Sequence, residues 1–268
     1  MLSWGEGIEQ NYCEAVKWMS SAAEGGDAKA QARLGHLHMF GNGVDKNYEE
    51  ALKWLRLAVA QNNPTAQWLL GTMYQCGMGV AKDYSEALVL YKPAAEKGNV
   101  YAMCNLANLY YSGRGTDQNY EEALKWYTAA AEKGEDRAQY ELGCMYEDGE
   151  GTNYDIEEAL KWYKLSASQE NKYAQFSLGR LYYYGSGVKR DFKEAAIWFK
   201  LAAEQKYSSA QYYLGEIYRL GRGEEKNLEE AEKWYNLAIE NGDESAELGL
   251  KKIQEIRDEE EKYQACLK

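Results

Sequence analysis

The chain has 268 residues, 45% of them hydrophobic and 28% charged, a composition that folds around a core and excludes a disordered chain. Its 31 Lys and Arg against 43 Asp and Glu leave a net charge of −12, which repels nucleic-acid phosphates and anionic membrane surfaces. No apolar run approaches the roughly 20 residues of a membrane-spanning helix, so neither a nucleic-acid partner nor membrane insertion is expected.

One period runs through the sequence. Alanine recurs at 30, 66, 102, 138, 174, 210 and 246, always 36 residues apart, and leucine follows four residues later each time. A Gly-x-Gly pair stands at 5/7, 41/43, 77/79, 113/115, 149/151, 185/187 and 221/223. A second alanine recurs at 15, 51, 87, 123, 159, 195 and 231, with tryptophan three residues beyond it except at Leu90. A unit that cannot bury its own apolar stripe must stack on its neighbours, so the expected organisation is a solenoid.

Taken in chain order, residues 1–27 form a partial repeat, because Gly5 and Gly7 already occupy the Gly-x-Gly phase. Most of a first helix is missing before Leu2, which reads as a chain cut from a longer protein. The stretch Met1–Gly7 has no basic region followed by an apolar run, hence no signal peptide. Cysteines at 13, 76, 104, 144 and 266 form no CxxC pair, and their odd number fits a disulfide framework poorly. They read as free, small apolar groups, with a Cys104–Cys144 redox pair as the lesser alternative. Both absences favour a cytoplasmic location, although the cut would have removed an export signal.

Full repeats follow at 28–63, 64–99, 100–135, 136–171, 172–207 and 208–243. Numbering each from its first residue, alanine at position 3, leucine at 7 and apolar residues at 10 and 11 follow helical spacing over positions 1–13. Glycine at position 8 lets a neighbouring helix come close, and the Gly-x-Gly ends the helix in the left-handed conformation. The second helix opens on a capping-box pattern. Asn47, Asp83, Asn119, Asp155, Asp191 and Asn227 precede Glu50, Glu86, Glu122, Glu158, Glu194 and Glu230 by three residues, as Asn11 precedes Glu14. In that device the Asx side chain caps the first turn and the glutamate reaches back to the N-cap amide. Ala123, Trp126, Tyr127, Ala130 and Ala131 show the buried stripe that follows.

The repeat at 64–99 departs from the pattern. Leu90 replaces tryptophan, and Pro93 sits inside the second helix, where a missing N–H and a clash predict a kink near residues 89–93. Pro64 falls at a helix start, where it is tolerated. At the far end Lys251 replaces glycine and Gln254 replaces tyrosine, so 244–268 reads as a C-terminal capping helix running to about residue 264, with Asp258–Lys262 as its solvated face.

The second full repeat carries Ala66, Leu70, Gly71, Tyr74, Gly77, Gly79, Val80, Ala87, Leu90, Tyr91, Ala94 and Ala95. This pattern, repeated along nearly the whole chain, resembles the Sel-one-like repeats, a subgroup of the tetratricopeptide-like solenoids. The resemblance implies an all-α fold, an α/α right-handed superhelical solenoid of about 36-residue helix-turn-helix repeats forming a single domain over 1–268. It also implies service as an adaptor or scaffold for diverse partners.

Chemistry is sparse. The Gly-x-Gly turns lack both the third glycine of a dinucleotide fingerprint and the Gly-Lys-Ser/Thr of a P-loop. His36 and His38 lie two residues apart, on nearly opposite sides of a helix, and cannot share a metal; His38 stands in the tyrosine place of the core. Gly185-Ser186-Gly187 lies in the repeated turn and has no strand before it. No catalytic, cofactor-binding or metal-binding residue is expected.

What remains is the free side of the first helices. At about 100° per residue, positions 2, 5, 9, 12 and 13 point away from the core stripe; the resemblance places that side on a concave face. It carries Phe40, Trp68, Tyr101, Tyr111, Tyr140, Tyr173, Phe176, Tyr183, Tyr184 and Tyr212, interleaved with Gln75, Asn108, Arg137, Glu147, Asp148, Arg180, Glu216 and Arg219. Aromatics with oriented polar groups suit peptide recognition. The reading is a non-catalytic scaffold holding an extended peptide or protein segment, basic or of mixed charge, in a groove. The alternatives are packing of these rings between repeats in a purely structural module, and a hydrolytic enzyme with its site in the groove.

Overall fold

The computed structural model of the chain describes residues 12–266, which form fourteen helices and no strand. The residues before 12, with the Gly5/Gly7 turn and the first Asx at Asn11, lie outside the described residues, as do the side chains of Cys13 and Glu14. The chain divides into two compact units, Met1–Glu135 and Asp136–Lys268.

The first unit holds α1 (Tyr12–Glu24), α2 (Ala28–Phe40), α3 (Tyr48–Ala60), α4 (Pro64–Cys76), α5 (Tyr84–Glu96), α6 (Val100–Ser112) and α7 (Tyr120–Ala131). The second holds α8 (Asp136–Asp148), α9 (Ile156–Ala167), α10 (Lys172–Tyr184), α11 (Phe192–Glu204), α12 (Ser208–Leu220), α13 (Leu228–Glu240) and α14 (Ala246–Cys266). Within each unit every helix packs on the next in chain order, and the two helices of one repeat share the largest contact. This is the stacked helix-pair arrangement of an α/α solenoid.

Chain chemistry sets the helix ends. In α4 the Asn63 side chain accepts the Ala66 N–H, and the αL residue Gly77, at φ 73°, returns its N–H to Met73 O. Gly79, two residues on, is needed for a different reason: a Cβ there would lie 2.5 Å from the Cβ of Tyr48, at the start of α3 in the preceding repeat. One glycine turns the chain, and the other lets adjacent repeats touch.

The second helices keep only half of the expected capping box. Asn47, Asp83, Asn119, Asp155, Asp191 and Asn227 all cap first-turn N–H groups. Their own N–H groups, however, bond first-helix carbonyls, such as Asn47 to His38 O and Asp191 to Tyr182 O. With the cap amide already used, the glutamates turn outward. Glu50 and Glu158 pair with Lys53 and Lys161 at 3.1 and 3.0 Å, and Glu122 and Glu194 accept the indole N–H of Trp126 and Trp198.

A buried ring recurs in the core of successive repeats within each unit. Tyr91, Tyr127, Tyr163, Phe199 and Tyr235, one from each of five second helices, are fully buried. Each such side chain contributes roughly 1.5–3 kcal/mol by leaving water. The glycine at position 8 makes room for it: a Cβ on Gly71 would sit 2.6 Å from the Tyr91 ring, and one on Gly179 2.5 Å from Phe199.

Buried glutamines stitch the repeats at their ends. Gln31, Gln175 and Gln211 donate to the Ala23, Ala167 and Ala203 carbonyls, while Gln61, Gln205 and Asn241 of the following loops donate to their side-chain oxygens.

The kink predicted at Pro93 does not interrupt α5, which runs as one 13-residue helix through the proline. Val89, whose carbonyl loses its i+4 donor, lies on the exposed side, so the unpaired carbonyl is not shut in the core. In α14 Gly249 and Ile253 are buried, and residues 258–262 face solvent.

Candidate functional site

In the first unit the free side of α2, α4 and α6 presents two exposed rings, Phe40 at 49% and Tyr101 at 54% exposure. Trp68 stacks on Tyr101 with centroids 4.9 Å apart, but is itself partly buried against the core around Leu52 and Leu55. Gln75 is committed inward, accepting the Tyr91 hydroxyl at 2.6 Å; burial pushes that phenol up to about 12. Tyr111 meets the edge of Tyr120 at 5.3 Å, and Asn108 is partly buried and accepts the Ser112 hydroxyl through its carbonyl.

The second unit carries the larger aromatic cluster. Tyr140 of α8 lies 5.7 Å from Tyr173 of α10, which lies 5.5 Å from Tyr207 before α12. Phe176 packs edge-on against Tyr207 and Tyr213 at 5.0 and 5.8 Å. Tyr213 in turn contacts Tyr212 at 5.6 Å, and its hydroxyl meets that of Tyr184 at 2.8 Å. These rings form one unbroken line over α8, α10 and α12, with Tyr173 and Tyr184 exposed at 46% and 57%.

Charged groups beside the line are paired. Arg180 Nη2 of α10 donates to Glu147 Oε1 of α8 at 2.5 Å, and the buried Tyr163 donates to Glu147 Oε2 at 2.7 Å. Glu216 accepts Arg219 at 2.7 Å and the Tyr235 hydroxyl as well. Burial works against the Glu216 charge, yet those bonds outweigh it and hold its carboxyl below the usual carboxylate range. Asp148 goes the other way, raised first by burial and then by Glu147 and Glu150. Arg137 is exposed and lies 3.9 Å from Glu141.

The Sel1 repeat matches this chain at residues 1–27, 28–63, 64–99, 100–135, 136–171, 172–207 and 208–243. The chain belongs to the Sel1 repeat family. A Sel1 repeat protein from Oxalobacter formigenes is 34% identical, over 85% of this chain and 94% of that one, with a TM-score of 0.79. The structure of c5321, a protective antigen of uropathogenic Escherichia coli strains displaying an SLR fold, is 33% identical over 86% of this chain, with a TM-score of 0.81. The chain spans 50% of that antigen's length. No curated protein matches it. Sel1 repeat proteins generally mediate protein–protein interaction and are typically non-catalytic scaffolds.

Against this Sel1 frame the sequence-predicted surface divides in two. Phe40, Tyr101, Tyr173 and Tyr184 are exposed, whereas Trp68, Tyr140, Phe176 and Tyr212 are partly buried and pack against the cores of their repeats. Tyr183 is a correction: at 9% exposure it belongs to the core, surrounded by Phe192, Phe199 and Tyr213, with its hydroxyl accepting from Arg222. Position 12 stands at the edge of the free side, and at Tyr183 side chains of the second helix and of the following repeat reach over it. Gln75, Glu147 and Arg219 occupy the same position and are likewise bonded to buried tyrosines.

Two rings of the line, Tyr207 and Tyr213, escaped the sequence reading. Tyr207 stands where Asp27, Asn63, Asn99 and Asn171 cap other first helices, and it offers α12 no side-chain cap. That loss of a cap for an aromatic was the available signal. Among the described residues no group of three or more His, Cys, Asp and Glu stands together in a way that could hold a metal ion. His38 is partly buried, its Nδ1 3.4 Å from Asp45 O. Cys76, Cys104, Cys144 and Cys266 are free thiols.

Proposed function

We propose that this chain is a non-catalytic scaffold whose first-helix face holds an extended peptide or protein segment. The observation that carries the reading is the aromatic line of the second unit, in which Tyr173 and Tyr184 stay exposed while Tyr140, Phe176, Tyr207 and Tyr213 hold them from behind. Large rings fixed by neighbours lose little conformational freedom when a ligand covers them, and interfaces therefore use them as anchors. Phe40 and Tyr101 offer the same service in the first unit, with Trp68 stacked behind Tyr101. The net charge of −12 favours a partner segment that is basic or mixed in charge.

The test is affinity capture from the source organism with the full chain and with Tyr173→Ala/Tyr184→Ala. Both positions are exposed, so far-ultraviolet circular dichroism and melting should be unchanged. The reading expects a defined set of proteins retained by the parent chain and lost by the variant. Equal recovery by both would overturn it.

A further inference from the structure

A cavity of about 140 Å³ opens between α2 and α4 in the first unit. Lys29, Ala32, Arg33 and His36 line it from α2, and Asn63, Thr65 and Leu69 from the start of α4. Every titratable group in that lining is a base, in a chain whose net charge is −12. His36 Nδ1 is buried and has no hydrogen-bond partner, while its ring is held 4.8 Å from Phe40. Thr65, in the first turn of α4, belongs to the same lining. Asn63 caps Ala66, Asn63 O takes the Gln67 N–H, and the Thr65 N–H has no partner among the described residues.

We propose that this cavity receives one carboxylate group of the bound partner, a C-terminus or an acidic side chain. The source of the carboxylate rests on the peptide-binding reading above; the cavity chemistry does not. Lys29 and Arg33 supply positive charge, the His36 ring and the one open amide of the α4 first turn, Thr65 N–H, supply donors, and the two helices supply a rigid frame. The volume equals about four or five waters, which suits a carboxylate with its methylene and a bridging water. The apolar part of the lining, Ala32 and Leu69, favours a carboxylate, which brings a carbon substituent, over a phosphate, which has polar oxygens on every side.

Burial, and then the Arg33 charge, hold His36 below its ordinary value. A bound anion reverses the second effect, so occupancy raises the His36 midpoint.

The experiment uses the full chain and N-acetylglycine, with N-acetylaspartate amide and inorganic phosphate as parallel probes, followed by the ring ¹H–¹⁵N signals of His36. Saturable shifts with N-acetylglycine and an upward move of the His36 titration midpoint are expected. Arg33→Gln and Lys29→Ala should each weaken that response about tenfold or more. Lys53→Ala, an exposed change on α3, should leave it intact. A response to the aspartate probe as large as to N-acetylglycine assigns the site to side chains; a larger N-acetylglycine response assigns it to C-termini. No saturable shift with either carboxylate, a response unaltered in Arg33→Gln, or a response to phosphate alone would each overturn the proposal. Because the probes need no protein partner, this result stands or falls apart from the Tyr173/Tyr184 capture experiment.

Discussion

The Tyr163 hydroxyl donates to Glu147 Oε2 at 2.7 Å, from a ring buried on the second helix to a carboxylate on the first helix of the same repeat. Tyr91 does the same to Gln75, and Tyr235 to Glu216. In each case a core tyrosine sends its only polar atom through the packed helix pair to the free face. The next repeat then takes up the same carboxylate in one case, through Arg180 on Glu147. Core and surface are therefore joined by side-chain hydrogen bonds, and polar residues facing the proposed groove have structural duties of their own.

Replacing Tyr163 by Phe tests the value of that link. Phe199 fills the equivalent place in the next repeat, so the ring itself is compatible with the fold. The variant should lose about 2 kcal/mol, the ordinary net worth of a hydrogen bond to a charged group, and retain the parent chain's helix content. Urea unfolding followed by circular dichroism measures the difference.

Gly215→Ala should cost more. Its Cβ would lie 2.5 Å from the Tyr235 ring, and that ring is fully buried with no room to swing away. Forcing the helices apart should cost about 1–3 kcal/mol. Ala107 holds the equivalent position opposite Tyr127, so one repeat has already adjusted to a methyl group there. Ala107→Gly should therefore cost only about 1 kcal/mol of helix propensity. Equal destabilisation by the two changes would contradict the close-approach account.

The ion pair Glu216–Arg219 predicts acid sensitivity. The Glu216 carboxyl titrates below its ordinary value of 4.5, so its contribution is present above that pH and lost as pH falls through the folded-state value. Glu216→Gln removes the contribution and leaves Arg219, only 11% exposed, facing a neutral amide; about 2 kcal/mol should be lost at pH 7. The gap between parent and variant should narrow from pH 5 downward. A gap that stays constant to pH 3 would assign the loss to packing.

How much of this was legible in the sequence depends on the range of the interaction. Helix starts at Asn47, Asp83 and Asp191 and the turn at Gly77 follow from local hydrogen bonds and backbone angles, which a few adjacent residues decide. The second half of the capping box failed because the Asn47 amide bonds a carbonyl nine residues earlier, a pairing that local pattern does not contain. Periodicity likewise placed Tyr173 and Tyr184 on an open side, but could not see that Phe192 and Tyr213 enclose Tyr183. The Ala-Gln dipeptide at 30–31, 66–67, 138–139, 174–175 and 210–211 was visible throughout. Its meaning, a buried glutamine serving the adjacent loops, needed the fold.

That glutamine ladder has a gap, and the gap makes the last prediction. Gln61 Nε2 donates both to Gly26 O and to Gln31 Oε1, and Gln205 Nε2 to Glu170 O and Gln175 Oε1. Lys97 stands 36 residues after Gln61, and its Nζ donates at 2.7 Å to Asn62 O. Gln67 Oε1, the acceptor that such a donor should also serve, is buried and has no partner. A buried acceptor left unpaired costs about 1–3 kcal/mol, part of which a correctly placed amide recovers. Lys97→Gln should therefore stabilise the chain by about 1 kcal/mol, roughly 2 °C in melting temperature for a chain of this size. Lys97→Met, which also removes the charge but brings no donor, should not. If both raise the melting point equally, the gain comes from losing the lysine charge and the account of the glutamine ladder is wrong.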